Sequence, residues 1–235
     1  MELVYRSNQV KVCAVIPAFN EEQTIGRIIQ ATKKYINNVF VINNGSTDNT
    51  AIIARECGAE VIDYCAKRGY GAAQYAGQQF AIQKGYDYIL QLDADGQHNP
   101  SYIPQLIESM QSGNYDIVLG SRFLTTSYKN FSLMRKSGIV FFSKAISLLG
   151  HTNITDATSG FKIYKTSSLR KLSKPSDINP AVEQMMEIAK KGMKIKEIPI
   201  EMPIRNTGNS HLSPTRFSLY PFRAAWHIIK VLIFK

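Results

Sequence analysis

Long apolar runs are missing from this chain. Nowhere do the roughly 18 to 20 consecutive apolar residues occur that a membrane-spanning helix needs, and Met1 to Val10 holds no apolar signal core. These absences argue against a secreted or transmembrane protein and predict a cytoplasmic one. Cysteine is scarce too. Cys13, Cys57 and Cys65 form no CxxC pair and fall in segments that read as strand, helix end and strand end, which predicts reduced structural thiols. Acidic residues are the minority charge, with 18 Asp plus Glu against 28 Lys plus Arg. The resulting formal +10 suits contact with phosphates, an anionic membrane surface or nucleic acid. The basic residues are dispersed and no RNA- or DNA-binding module is present, so nucleic acid is not an expected partner. Also absent after the first apolar run is a GxGxxG or a glycine-rich phosphate loop, since Ala18-Phe19-Asn20-Glu21 occupies that place. A dinucleotide-dependent dehydrogenase and a nucleotidyltransferase both lose their main support.

What is present is alternation. Val10 to Ile16 reads as a strand and Glu22 to Tyr35 as a helix with Ile25, Ile28 and Ile29 on one face. The pattern repeats as strand Val39 to Ile42, helix Thr47 to Cys57, strand Glu60 to Asp63 and helix Gly71 to Lys84. Strand Tyr86 to Leu92, helix Pro100 to Gln111 and strand Asp116 to Leu119 follow. This order predicts an α/β fold, a mostly parallel sheet covered by helices, and 235 residues suffice for one such large domain. After Gly120 come a basic loop, an amphipathic stretch over Phe131 to Leu149, a short strand near Phe161 to Tyr164 and a helix over Ala181 to Lys190. The first half reads as a nucleotide-binding scaffold and the second as the acceptor side.

Asp93-Ala94-Asp95-Gly96-Gln97 directly follows the fourth strand, at the strand end where open α/β sheets place their ligands. Alternation directs Asp93 and Asp95 to one side, and two carboxylates that close repel each other unless a cation lies between them. Mg²⁺ or Mn²⁺ suits such oxygen ligands and would bridge them to a diphosphate, with Gln97 adding an oxygen and His98 a contact behind. The alternative is a solvated acidic turn ahead of the helix near Pro100.

Val15-Ile16-Pro17-Ala18-Phe19-Asn20-Glu21-Glu22, Asn43-Asn44-Gly45-Ser46-Thr47-Asp48 and the Asp93 cluster together resemble family 2 glycosyltransferases of the GT-A, Rossmann-like fold. Gly120-Ser121-Arg122, Asp156-Ala157-Thr158-Ser159-Gly160-Phe161-Lys162 and the run from Arg205 to His211 resemble the branch of dolichyl-phosphate mannose synthase and polyprenyl-phosphate sugar transferases. The resemblance implies an inverting transfer of sugar from a nucleotide-sugar donor to a lipid phosphate acceptor, assisted by Mg²⁺ or Mn²⁺. It places Pro17, Ala18, Asn20, Glu21, Asn43, Asn44, Gly71, Asp93 and Ala94 at the nucleotide-sugar, and Asp93, Asp95 and Gln97 at the metal. Lys67-Arg68-Gly69-Tyr70-Gly71-Ala72 resembles the family's glycine-containing loop, where missing side chains let the nucleotide approach, and read alone it is equally a generic glycine turn. Asp95, Arg122, Arg135, Asp156 and Arg205 are the implied catalytic set, with Arg135 and Arg205 on the acceptor phosphate. Asp156 either orients an arginine or the acceptor, or bonds nearby backbone. Asn43 and Asn44 depart from the family's acidic residues, and because an amide also donates, the base of the donor is left open. Asp48 reads equally as a helix-start cap or a ligand contact. A transferase acting on a saccharide hydroxyl is the rival reading, but no further carboxylate stands out as its base.

Residues 1–212 are thus expected to form the transferase domain and residues 213–235 a C-terminal amphipathic helix. Arg216, Arg223 and Lys230 recur every seven residues beside Phe222, Trp226 and Ile229, a pattern that suits a helix lying on an anionic membrane surface. The expected location is peripheral, at the cytoplasmic face. The other reading packs this helix on its own domain or in a homo-oligomer. Phe131 to Leu149 carries the same ambiguity between a lipid-facing and a core helix.

Overall fold

A computed structural model describes residues 10–64, 69–177 and 180–202. Among these, β1 (Val12–Ala18), β2 (Asn38–Asn43), β3 (Glu60–Asp63), β4 (Tyr88–Gln91), β5 (Ile117–Ser121), β6 (Lys162–Lys165) and β7 (Ile195–Pro199) form one sheet. Its order is β3-β2-β1-β4-β6-β5-β7, parallel throughout except for β6. The covering helices are α1 (Ile25–Lys33), α2 (Thr50–Glu56), α3 (Tyr70–Gln83), α4 (Ile103–Ser112), α5 (Leu133–Leu149), α6 (Thr166–Leu169) and α7 (Pro180–Lys190).

β1 is apolar along its length because both its faces are covered, as parallel strands require. On one face Val15, Phe40 and Ile89 meet Ala81 of α3, Phe142 of α5 and Met185 of α7. On the other, Ile16, Val41 and Leu90 meet Ile29 of α1 and Leu106 of α4. Cys13 lies in the first of these layers, where burial pushes its thiol pKa up, and neither it nor Cys57 is in a disulfide. Two elements were not expected from sequence. β7 reads Ile-Lys-Glu-Ile-Pro, with no clean alternation to mark it, and α6 is a single turn.

α3 lies close against the sheet because residue 77 has no side chain. A Cβ there would come within 2.4 Å of Val15 Cγ1 and 2.7 Å of Ile42 Cγ1. Gly77→Ala is therefore expected to destabilise the fold by about 1 to 3 kcal/mol through overpacking, outweighing the roughly 1 kcal/mol that alanine gains in a helix. Urea denaturation measures this, and an unchanged midpoint would show that α3 has room to move.

α5 buries Ile139, Phe142 and Ile146, while Leu133 (83% exposed), Met134 (61%), Phe141 (59%) and Leu148 (77%) face outward. Met134, Phe141 and Leu148 lie seven residues apart and share a face, so this helix is both packed and openly apolar. No helix among the described residues is long and apolar enough to cross a membrane. Cys65, Lys67, Arg68, Arg205, the run to His211 and the amphipathic tail 213–235 lie outside the described residues.

Candidate active site

β1 has β2 on one side and β4 on the other, so the chain's crossovers diverge between β1 and β4. A cleft of about 480 Å³ opens at the carboxyl ends of these strands, where such a switch point places ligands. Pro17, Ala18, Phe19 and Glu21 form one wall, Asn44, Gly69 and Tyr70 another, and Asp93, Ala94 and Asp95 a third. Of the expected nucleotide-sugar residues, Pro17, Ala18, Glu21, Asn44, Asp93 and Ala94 thus meet in one place.

The other expected residues stand behind these walls. Asn20 adopts φ 54°, a conformation asparagine tolerates better than most residues. Its N–H donates to Ser46 Oγ (3.1 Å) and its Oδ1 accepts from Thr47 N–H (2.8 Å), which ties the turn after β1 to the turn after β2. Asn43 donates to Asp63 Oδ1 (2.7 Å) and accepts from Ser46 N–H (3.0 Å), so of the asparagine pair it is Asn44 that reaches the cleft. Gly71 packs against the segment before α7, where a Cβ would lie 2.5 Å from the Ser176 carbonyl oxygen, and Gly69 lines the cleft instead. Asp48 accepts from the Thr50 and Glu22 N–H groups (3.0 and 3.2 Å), the cap side of the two roles open to it. Burial opposes its charge, yet these bonds and the Thr50 hydroxyl hold its carboxyl below the ordinary value.

β4 stops at Gln91, so Asp93 and Asp95 occupy a turn, and it is this turn, not strand alternation, that brings both to the cleft. Gly96, at φ 79°, completes it in a conformation that favours glycine. Asp95 Oδ1 accepts from Gln97 N–H (3.0 Å), while Gln97 itself is not on the cleft wall. Asp93 Oδ1 accepts from the Tyr70 hydroxyl (2.6 Å). Behind Asp93, buried His98 uses Nδ1 to accept the Asp93 N–H (2.9 Å) and sets Nε2 3.7 Å from Asp93 Oδ2. Burial lowers the imidazole pKa, in keeping with a neutral ring, and the ring stacks on Phe161. Gly160 allows this approach, because a Cβ there would be 2.7 Å from Asp93 Oδ2.

This donor set fits a divalent cation shared with a substrate. No group of three or more His, Cys, Asp or Glu able to hold a metal occurs among the described residues. Asp93 and Asp95 supply two carboxylates on a cleft wide enough for a nucleotide, and Mg²⁺ and Mn²⁺ sites commonly combine one or two carboxylates with substrate phosphates and water.

A second cluster lies at the ends of β5 and β6. Arg122 is 4% exposed and clamps Asp156 through Nε (2.6 Å) and Nη2 (2.7 Å), with Thr158 Oγ1 also on Nη2 (2.7 Å). Burial works against the Asp156 charge, but the Arg122 guanidinium and these bonds hold its carboxyl below the ordinary value. Asp156 is thereby committed to an arginine, and Arg122 is a buried partner rather than a cleft wall. Glu197 of β7 secures the same loop by accepting from the Thr155 and Asp156 N–H groups (2.9 Å each). The Phe131 ring lies 5.2 Å from the Arg122 guanidinium and 4.1 Å from that of exposed Arg135, so one ring joins the buried cation to the surface one.

Phe19, Gly69, Tyr70 and Lys162 enter the sequence reading only as members of motifs, with no role of their own, Gly69 and Tyr70 within the Lys67 to Ala72 glycine loop. Nothing about Lys162 itself points to burial, because a lysine at a strand start ordinarily marks solvent. Here it is 1% exposed, and burial draws its pKa down to about 8 against the opposing pull of Asp156 and Asp93.

The chain is similar to known proteins in sequence and in fold. Residues 13–173 match the family model for glycosyl transferase family 2. The chain is 29% identical to undecaprenyl-phosphate mannosyltransferase of Micrococcus luteus, covering 87% of this chain and 88% of that one. It is 30% identical to UDP-N-acetylglucosamine--dolichyl-phosphate N-acetylglucosaminyltransferase of Methanococcus voltae, covering 80% and 83%. Among solved structures, glucosyl-3-phosphoglycerate synthase of Mycobacterium tuberculosis, in complex with Mn²⁺, UDP and glucosyl-3-phosphoglycerate, superposes with TM-score 0.76 at 17% identity, covering 95% of this chain and 80% of that one. That likeness establishes the shared GT-A fold.

Proposed function

The chain belongs to glycosyl transferase family 2, and from this premise we propose that it moves a sugar from a nucleotide-sugar, with Mg²⁺ or Mn²⁺, onto a polyprenyl or dolichyl phosphate. One observation carries the choice of acceptor: Arg135, stacked on Phe131, stands at the head of a helix whose outward face is Leu133, Met134, Phe141 and Leu148. A lipid phosphate presents this chemistry, an anion joined to a long apolar chain. A soluble acceptor needs no such apolar surface, whereas a bilayer interface covers it favourably.

In this reading the cleft holds the nucleotide diphosphate, and Asp93 and Asp95 would hold the cation, which would supply positive charge to the leaving group. The acceptor phosphate oxygen is ionised already and attacks the anomeric carbon from the opposite side, inverting it. No strong base is called for, and Asp156 is unsuited to that role, being locked to Arg122. Arg135 meets the acceptor phosphate together with Arg205, and Arg122 backs Arg135 through the Phe131 ring. The protein sits peripherally on the cytoplasmic face, held by α5 and the basic tail 213–235, with residues 1–212 forming the transferase domain.

Incubating the protein with labelled nucleotide-sugars, Mn²⁺ and a detergent-solubilised polyprenyl phosphate tests this directly. The expected product is a lipid-linked monosaccharide of inverted configuration, and transfer only to a saccharide hydroxyl would refute the reading. Arg135→Ala should raise the KM for the lipid phosphate about tenfold, the worth of one charge-assisted hydrogen bond, and leave donor binding unchanged.

A further inference from the structure

α3 and α7 bury amides where apolar side chains would be expected. Gln74, Gln78, Gln91 and Gln184 are each at most 2% exposed, inside the layer that packs α3 and α7 on the sheet. They form a continuous chain. Gln184 Oε1 accepts from Tyr164 Oη (3.0 Å) and Gln74 Nε2 (2.8 Å), and Gln184 Nε2 donates to Gln78 Oε1 (3.0 Å). Gln78 Nε2 donates to Gln91 Oε1 (3.1 Å), Gln91 Nε2 approaches the Tyr70 hydroxyl (3.5 Å), and Tyr70 donates to Asp93 Oδ1 (2.6 Å).

Every bond in this chain points the same way, and the reason lies at its end. A carboxylate oxygen only accepts, so Tyr70 must give its single proton to Asp93 and can receive only a donor from behind. Gln91 must therefore turn its NH₂ toward Tyr70 and its oxygen toward Gln78, and the same constraint passes to Gln184. At the far end the chain runs out of donors: Gln74 Oε1 is buried without a hydrogen-bond partner among the described residues. An orphaned acceptor at one end and a carboxylate at the other are what a one-way chain of donors produces. Aligned bonds polarise one another in a low-dielectric interior, which strengthens the amide hydrogen bonds leading up to Tyr70, itself 40% exposed at the cleft wall.

We propose that Tyr70 and the buried amides behind it are positioning residues for the divalent cation, a one-way relay that fixes the Asp93 carboxylate in the orientation at which the cation is held. With Oδ1 pinned by Tyr70 and the backbone of Asp93 pinned by His98, the carboxylate cannot turn away from the cleft. The relay also makes α7 part of the site. Asp177, just before α7, accepts the Ala72 N–H (2.7 Å), so α7 and its approach hold Tyr70 from behind and from the side.

The proposal rests on the assignment of the cation to Asp93, and the test separates the two. Mn²⁺ is titrated into the intact chain with saturating UDP and, separately, GDP, and free Mn²⁺ is read by electron paramagnetic resonance. Tyr70→Phe should weaken Mn²⁺ binding about tenfold, as loss of a partner behind a metal ligand does. Gln78→Met, far from the cleft wall, should weaken it in the same direction by less. Both should raise the KM for Mn²⁺ in transfer more than they lower kcat. Variants that melt earlier but bind Mn²⁺ as wild type does would overturn the relay alone. If Tyr70→Phe does not fold, Gln78→Met decides by the same reading. Wild-type protein that binds no Mn²⁺ with either nucleotide would overturn the cation assignment and the relay with it.

Discussion

Asp95→Ala is expected to lower transfer by about a hundredfold to a thousandfold, the range seen when one group stabilising a developing charge is removed, while the fold survives. Asp95 shares the cleft with Asp93 on the turn after β4, and the diphosphate leaving group would meet the protein there through the cation. In that assignment, removing one carboxylate would leave the cation with a single protein ligand. Two effects on stability oppose each other. The Gln97 N–H loses its acceptor, and the repulsion between neighbouring carboxylates is relieved, so the net change should stay within about 1 kcal/mol. Steady-state kinetics with Mn²⁺ and a thermal melt of the same preparation check both halves. Near-normal, metal-dependent transfer by a folded Asp95→Ala protein would show that the cation is held elsewhere.

The largest effect on stability belongs to Asp156→Ala. Asp156 is 0% exposed and receives the Arg122 Nε and Nη2, so its removal leaves a guanidinium that is 4% exposed without its ion-pair partner. Breaking a buried pair in this way costs about 3 to 5 kcal/mol, a large share of a typical domain's stability. Denaturant titration should show a correspondingly lower midpoint, and a shift below about 1 kcal/mol would mean that water reaches Arg122 in solution. The same pair sets a direction in pH. Folding lowers the Asp156 pKa, so the unfolded chain takes up this proton more readily than the folded one. The pair's contribution is therefore fully present above the ordinary carboxylate value of about 4, and it is lost as pH falls through the lower folded value. A melting temperature that drops on acidification below pH 4 in wild type, and less so in Asp156→Asn, is the expected signature.

Most elements up to β5 are legible in sequence because β1, β2 and β5 are apolar runs and α1 and α4 carry apolar stripes, as at Ile25, Ile28 and Ile29. The cleft is legible for a related reason: Pro17, Asn44, Asp93 and Asp95 lie at or just beyond recognisable strand ends, and parallel strands bring those ends together. What escaped were contacts made across distance. Nothing local at Lys162 announces that it is buried beside Asp156 and Asp93, and nothing at Arg122 announces a buried partner in place of a cleft wall. Gln74 and Gln78 stand four residues apart on the face that α3 turns inward. That is a departure from apolar patterning, but its meaning depends on Gln91 and Gln184, which come from other elements. The side chains of Asn20 and Asn43, expected at the nucleotide-sugar, also bond to Thr47 and to Asp63 and Ser46, contacts that no motif spacing reveals.

The antiparallel β6 bears on the order in which the chain can fold. β4 and β5 are made early, but neither pairs with the other; both wait for β6, which pairs with β4 from Tyr88↔Lys165 to Gln91↔Lys162 and with β5 from Ile117↔Tyr164 to Leu119↔Lys162. Until that strand arrives, the β1-to-β4 half ends in an open edge whose Ile89 and Leu90 become wholly buried in the finished protein. An unpaired apolar edge of this kind recruits other chains, and pairings distant in sequence form slowly. The strand that closes the edge also carries Asp156, Gly160 and Phe161 up to Arg122, Asp93 and His98. The gap that leaves the nascent chain most prone to aggregation and the gap that separates its two functional clusters are therefore closed by one event.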